Sequence, residues 1–322
     1  MATRARKAVI TAAGRGTRQF PATRSIQKEM LPLVDPGGVT KPTIQIIVEE
    51  CLASGIEQVC IVVAKGEQEP FKNHFSGLSE AERTAYAAKP DLLRQADKLA
   101  DMERRIVYVE QPAPEGFGHA VFQARDFVGD EPFLLLLGDH VYTTPPGVPF
   151  CAAQLLDIGE RAGAAAVSVT SVRLDPESEV SVTGVVKGAA RNPDLRADEP
   201  GQTYDILALK EKPTPGEARA AFATPGVPAG FYLCHFGLHL FAPVIFDCLA
   251  ELIENNVRVK NEIQLTSAQE LLRRRSPYLA AYLNGTRWDT GIPKGYAETQ
   301  MALSLAGPYA DDLRQLFKLG RP

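Results

Sequence analysis

The 322-residue chain is short of several things that mark special classes of protein. It has one tryptophan, four methionines and five histidines. Its five cysteines (Cys51, Cys60, Cys151, Cys234 and Cys248) are odd in number and form no CxxC pair. That pattern argues against a disulfide framework or a zinc site and for reduced thiols in a cytoplasmic protein. No stretch approaches the ~18 apolar residues that a membrane span needs. The apolar run behind the basic start Met1 to Lys7 is too short for a signal-peptide core. A charge excess of one sign is missing too: 35 Lys and Arg stand against 39 Asp and Glu, a net charge of −4. Such a surface has no general attraction for nucleic acid or for an anionic membrane, so a phosphate ligand would need a local pocket. With 26 glycines and 24 prolines the chain is not of low complexity. What it does have, 45% hydrophobic and 23% charged residues, belongs to a globular protein of one large or two ordinary domains.

The order of elements narrows the fold. Residues Lys7 to Ala13 form an apolar, partly β-branched run that stops at a glycine, and read as a buried strand. Helical spacing over Thr43 to Ala53, a stop at Gly55 and an apolar run over Gln58 to Ala64 give strand, helix, strand, hence a βαβ unit. A helix pair broken at Pro90 follows within 79–105. The spacing then predicts strands over 106–109, 132–137 and 164–172, and helices over 120–127 and 148–161. The middle, 175–230, is richer in Pro, Gly and charge. Beyond it come an apolar run at 233–241, helices over 244–255 and 262–275, a strand over 278–283 and a helical tail. The expected architecture is α/β: a Rossmann-like, doubly wound mixed sheet, mostly parallel, with an elaborated second half and C-terminal helices. One domain over 1–322 is expected, with a first half at 1–172, a second at 173–293 and terminal helices at 294–322.

Several residues carry chemistry. The loop Ala13-Gly14-Arg15-Gly16-Thr17-Arg18 follows the first strand, where glycines let the backbone approach a phosphate and successive N–H groups form an anion-binding concavity. A tight strand-to-helix turn would use the same residues. Arg18 and Lys28 add two cations able to face a polyphosphate. The Walker ending is absent, as is the third glycine of the dinucleotide fingerprint, which counts against a nicotinamide dehydrogenase. Asp139 ends an apolar strand, and ligands of open α/β sheets gather at the carboxyl ends of strands. A carboxylate there suits Mg²⁺, a hard cation that prefers oxygen; a helix N-cap or turn is the alternative for Asp139 and for Asp289. No GxSxG elbow is present, and the cysteines lie in apolar contexts that suit buried thiols. His235 and His239, four apart in a strand, should lie ~13 Å from one another, too far to chelate one ion. They read as packing histidines.

The loop continues into Pro21-Ala22-Thr23, Lys28-Glu29-Met30-Leu31-Pro32 and Lys41-Pro42. Farther on stand Gly116-Phe117-Gly118-His119, Gly129-Asp130-Glu131-Pro132, Gly184-Val185-Val186, Glu211-Lys212-Pro213, Glu262-Ile263-Gln264-Leu265-Thr266 and Asp289-Thr290-Gly291. In these segments, in this order and over nearly its whole length, the chain resembles the bacterial UTP–glucose-1-phosphate uridylyltransferases. They are a branch of the sugar-nucleotide pyrophosphorylases within the wider nucleotidyltransferase family. The KEMLP segment favours the uridylyl branch over the thymidylyl one.

The resemblance implies uridylyl transfer from UTP to a hexose 1-phosphate, with Mg²⁺ held by Asp139 and Asp289, and catalysis by Arg18, Lys28, Asp139 and Lys212. It assigns nucleotide binding to Ala13, Gly14, Gly16, Thr17, Gln111 and Gly116. The Gln111 amide has both a donor and an acceptor for the uracil edge. Sugar binding falls to Gly184, Glu211, Lys212 and Gly237. Assembly as a homodimer or homotetramer is implied as well. Departures cluster in the sugar half: His140 follows Asp139 where relatives often carry Asp, Asn or an apolar residue, Leu238-His239 stands for Arg-Tyr, and Thr183 for Tyr. They leave the hexose open, and with it two alternatives: a thymidylyl or other-sugar transferase, and a silent sugar-nucleotide-binding paralogue.

Overall fold

The computed structural model describes residues 4–319; the start of the basic N-terminus and residues 320–322 of the expected terminal helices lie outside it. Nine strands form one sheet: β1 (Lys7–Ala12), β2 (Gln58–Ala64), β3 (Ile106–Gln111), β4 (Phe133–Leu137), β5 (Ser168–Pro176), β6 (Gly184–Ala190), β7 (Thr203–Glu211), β8 (Phe231–Phe241) and β9 (Tyr278–Tyr282). Their order across the sheet is β3-β2-β1-β4-β8-β5-β9-β7-β6. The βαβ reading holds to the residue for the helix Thr43–Ala53 and for β2.

The sheet is mixed, as expected, but it is not mostly parallel: the run of consecutive parallel pairings is confined to the first half. Pairings β3–β2, β2–β1 and β1–β4 are parallel, as is β5–β9, whereas β8 runs antiparallel to both its neighbours and β7 to both of its own. In the second half β6 and β7 pair as consecutive antiparallel strands, while helices Pro215–Ala221, Val244–Glu254 and Leu265–Arg275 still lie between β7, β8 and β9. β1 and β4 are covered on both faces, which is why they are continuous apolar runs. Ala8, Ile10, Leu134 and Leu136 face one core, while Val9, Phe133 and Leu135 face the other. Strand order reverses between β1 and β4, so a crevice opens beyond their carboxyl ends.

Three expected elements differ for tertiary reasons. Residues 120–127 divide into helices Phe117–Phe122 and Arg125–Val128. The helix expected from residue 262 begins at Leu265. Glu262 to Gln264 stay extended because the Ile263 N–H donates to Glu115 O (2.8 Å) and Ile263 O accepts from Gly118 N–H (2.9 Å). The strand expected from residue 164 begins at Ser168, after a turn led by Gly163 at φ 88°. Outside the main sheet, His140–Thr143 pairs with Thr286–Asp289 in a two-stranded ribbon, and Pro32–Val34 pairs with Thr40–Pro42.

One buried carboxylate makes stability depend on pH. Glu50 accepts the Ala152 N–H (3.1 Å) at the start of helix Cys151–Ala162, and burial pushes its pKa up to about 7 against that hydrogen bond. With the folded value above the unfolded one, this group favours the folded state fully below about pH 4.5, and the advantage disappears as pH rises toward 7. Glu50→Gln is expected to raise the thermal midpoint at pH 8 and to leave it nearly unchanged at pH 4. The ceiling is roughly 3 kcal/mol. Equal pH profiles of the two proteins in thermal melts would refute this.

Candidate active site

β1 and β4 deliver the site. The Gly138 N–H donates to Thr11 O (2.9 Å), so the Ala13-Gly14 loop and the Gly138-Asp139 turn leave the sheet side by side. A cavity of about 560 Å³ opens there, lined by Ala13, Gly14, Arg15, Arg18, Lys28, Gln111, Gly116 and Asp139 among others. A second, of about 920 Å³, is lined by Gly184, Glu211, Lys212, Gly237 and Asp289 among others. Arg18, Phe117, Leu137 and Glu262 line both, so the cavities share a wall. Gly16 and Thr17 are the expected site residues that line neither. Gly16, at φ 61°, instead caps a short 3₁₀ turn and accepts the Thr23 hydroxyl (2.9 Å), shaping the loop from behind.

In the first cavity the Lys28 ammonium donates to Asp139 Oδ2 at 2.6 Å and stands 3.2 Å from Glu29 Oε1. Burial works against both charges of the Lys28–Asp139 pair. It is outweighed by their mutual attraction, which lowers the Asp139 pKa to about 2 and raises that of Lys28. His140 and Arg18 add to the effect on Asp139. Asp139 is therefore a carboxylate at any working pH. Glu29 lies fully buried beneath, its pKa pushed up to about 7, chiefly by burial and against the pull of Lys28. The Asp139 backbone is fixed as well: its carbonyl accepts the Thr290 N–H (2.8 Å) and the Thr290 hydroxyl (2.9 Å).

The Gly116 end of this cavity needs glycine. Gly116 has φ 115°, and a Cβ there would stand 2.8 Å from Ile263 O and 2.8 Å from Glu262 Cβ. The Gln111 amide N–H donates to Gly116 O (3.1 Å) and faces His119 Nδ1 (3.1 Å), which leaves its oxygen as the free acceptor among the described residues. Gln111 thus offers the cavity an acceptor, not both a donor and an acceptor.

In the second cavity, Glu211 and Lys212 lie 3.3 Å apart at the end of β7, and Glu211 Oε2 accepts the Thr266 hydroxyl (2.7 Å). Lys212 is held at φ 46°, a left-handed conformation rare for a side chain other than glycine and a common mark of functional positions. Its N–H donates to Thr183 O (3.1 Å).

The expected ~13 Å between His235 and His239 is wrong. β8 bulges at Gly237 (φ 105°), so that three residues of β8 oppose Ser171 alone, and the two rings come to 5.4 Å. The Ser171 hydroxyl fills the bulge, donating to Leu238 O (2.7 Å) and accepting the Leu238 N–H (3.1 Å). His239 packs as expected: it stacks on Phe241, meets Thr170 at 2.7 Å and is held neutral by burial. His235 lines the cavity with Nε2 buried and unpaired, its pKa lowered to about 4 by burial.

Three further site groups escape sequence reasoning. Arg287 reaches the cavity from the ribbon, donates to His235 O (3.3 Å) and has its buried Nε without a partner. Arg173 pairs with Asp175 at 2.7 Å on β5. Glu29 stands next to Lys28 in sequence, and a carboxylate beside a candidate site cation was the one available signal.

Asp139, His140 and Asp289 each offer an atom within 4.8 Å of the others. Asp289 Oδ1 accepts the Gly291 N–H (2.8 Å), the turn role considered for it, while Oδ2 stands 4.0 Å from His140 Nε2. Two carboxylates so placed fit a divalent cation. The cysteines take no part: all five are buried, and burial raises every thiol pKa, so none supplies a ready thiolate. No helix among the described residues is long and apolar enough to cross a membrane.

Residues 7–305 match the family described as Nucleotidyl transferase. A UTP–glucose-1-phosphate uridylyltransferase of Streptococcus pneumoniae is 37% identical, the match covering 100% of this chain and 98% of that protein. The solved structure of UTP-bound UGPase from Acinetobacter baumannii is similar at a TM-score of 0.79 and 27% identity, covering 98% of this chain and 100% of that one. A UDP-glucose pyrophosphorylase complexed with UDP-glucose gives a TM-score of 0.71 and 28% identity, covering 92% and 98%.

Proposed function

The chain belongs to the nucleotidyl transferase family, and from that premise we propose that it transfers a uridylyl group from UTP to a hexose 1-phosphate. α-D-Glucose 1-phosphate is the first candidate acceptor. The observation that carries this reading is the pair of cavities joined along Arg18, Phe117, Leu137 and Glu262, with Asp139 on one side and Asp289 on the other. A nucleotide and a sugar phosphate seated in them would meet at the charged wall. The named activity of the relatives supports UTP and glucose 1-phosphate as the pair.

An oxygen of the sugar phosphate attacks the α-phosphorus. A new P–O bond forms as the bond to the bridging oxygen breaks, and pyrophosphate leaves with the electron pair. No side chain becomes covalently attached, so the protein's work is alignment and charge neutralisation. Ala13, Gly14 and the Gln111 oxygen hold the base, and Gly116 lets the loop come close. Gly16 and Thr17 act through the shape of the loop. Arg18 and Lys28 take the charge that builds on the departing pyrophosphate, and Lys212 places the attacking phosphate. Glu211, with Gly184 and Gly237, receives the sugar ring. Asp139 and Asp289 would hold Mg²⁺, which when bound supplies positive charge against the α-phosphate oxygens. Assembly as a homodimer or homotetramer in the cytoplasm completes the proposal.

A pyrophosphate-release assay over a panel of nucleoside triphosphates and sugar 1-phosphates tests the reading. UTP with glucose 1-phosphate is expected to give the highest kcat/KM. Preference for dTTP or for another hexose would reassign the substrates. UDP-glucose binding with no turnover on any pair would make the chain a silent sugar-nucleotide-binding paralogue.

A further inference from the structure

The ribbon that closes the cleft places an imidazole among the carboxylates. Its register sets His140 directly across from Asp289, and Asp139 precedes His140 in the chain. One atom from each lies within 4.8 Å of the others, and His140 Nε2 stands 4.0 Å from Asp289 Oδ2. Ligands on one cation at about 2.1 Å are roughly 3 to 4.2 Å apart, so small rotations of the two carboxylates bring all three groups within reach of a common ion. The ring is buried and wedged in place: a Cβ at Gly237 would press on His140 Nδ1 and stand 2.9 Å from the Tyr142 hydroxyl. Neither Nδ1 nor that hydroxyl has a hydrogen-bond partner among the described residues. Packing therefore sets the ring's orientation, and Nε2 lies on the side of Asp289.

We propose that His140 is a third, nitrogen ligand of the divalent cation, and that this cleft consequently favours a first-row transition dication such as Co²⁺ or Mn²⁺ over Mg²⁺. This rests on the uridylyl reading, which places a cation between Asp139 and Asp289. Mg²⁺ takes oxygen ligands and parts with water reluctantly, whereas imidazole suits the later first-row ions, whose affinity for mixed nitrogen and oxygen sites rises from Mn²⁺ through Co²⁺. The set also straddles the wall between the cavities, since Asp139 lines the first, and His140 and Asp289 line the second.

Pulsed EPR of Mn²⁺ added to the full chain, with and without UTP, reads the ligand directly. Nitrogen hyperfine modulation is expected from the wild-type protein and not from His140→Asn or His140→Gln. Competition binding should show the preference for Co²⁺ over Mg²⁺ falling at least ~10-fold in either variant. Mn²⁺ bound with no nitrogen modulation in the wild type overturns the proposal, needs no variant to fold, and leaves the uridylyl reading intact. Mn²⁺ that does not bind in either arm overturns both.

Discussion

Asp139→Ala is expected to lower kcat by at least ~10²-fold at saturating UTP and metal, the scale of losing one preorganised electrostatic group. Two deficits combine in this variant. The carboxylate placed to hold the cation is gone, and Lys28, bonded to it at 2.6 Å, loses the partner that positions its ammonium. Lys28 then has the buried Glu29 beside it, 3.2 Å away, and is drawn toward that carboxylate and out of the cavity. The fold should survive, because Asp139 holds Thr290 through its carbonyl rather than its side chain. Steady-state kinetics paired with a thermal melt measures both. Near-normal turnover in a folded variant would remove Asp139 from the mechanism.

Gly291→Ala carries the second large effect, and it adds one methyl group without removing any charge. A Cβ at this position would collide with Asp139 Oδ2 and stand 3.0 Å from Asp289 Oδ1 and 3.2 Å from Arg18 Nη2. Three groups assigned to the reaction converge on one hydrogen atom. Pushing both carboxylates aside by several tenths of an ångström should cost ~10²-fold in kcat, since catalysis by alignment is lost over about an ångström. A variant that folds and still turns over at the parental rate would show that the carboxylates need no fixed spacing.

How much of this was readable in the sequence depends on the reach of each interaction. The helix Thr43–Ala53 and strand β2 follow from local periodicity and a glycine stop, and they match to the residue. The residues at the ends of β1, β4 and β7 were readable because short segments carry them: Arg18, Lys28, Asp139, Glu211 and Lys212 all line the two cavities. What could not be read depends on partners far away in the chain. Glu262 to Gln264 lose their helix to Glu115 and Gly118. Arg287 reaches the cavity because Thr286–Asp289 pairs with His140–Thr143. The 5.4 Å between His235 and His239 follows from a bulge that Ser171 fills from the neighbouring strand. A repeat of two along a strand assumes regular pairing, and one glycine at φ 105° was enough to break it.

The position of β8 bears on how the chain is made. It fills the slot between β4 and β5, two strands that leave the ribosome well before it does. Until residue 241 has emerged, those apolar strands have open edges toward one another, a liability during synthesis. A nascent chain halted before that point leaves the slot between β4 and β5 unfilled, so the two halves of the sheet cannot join until β8 has been made.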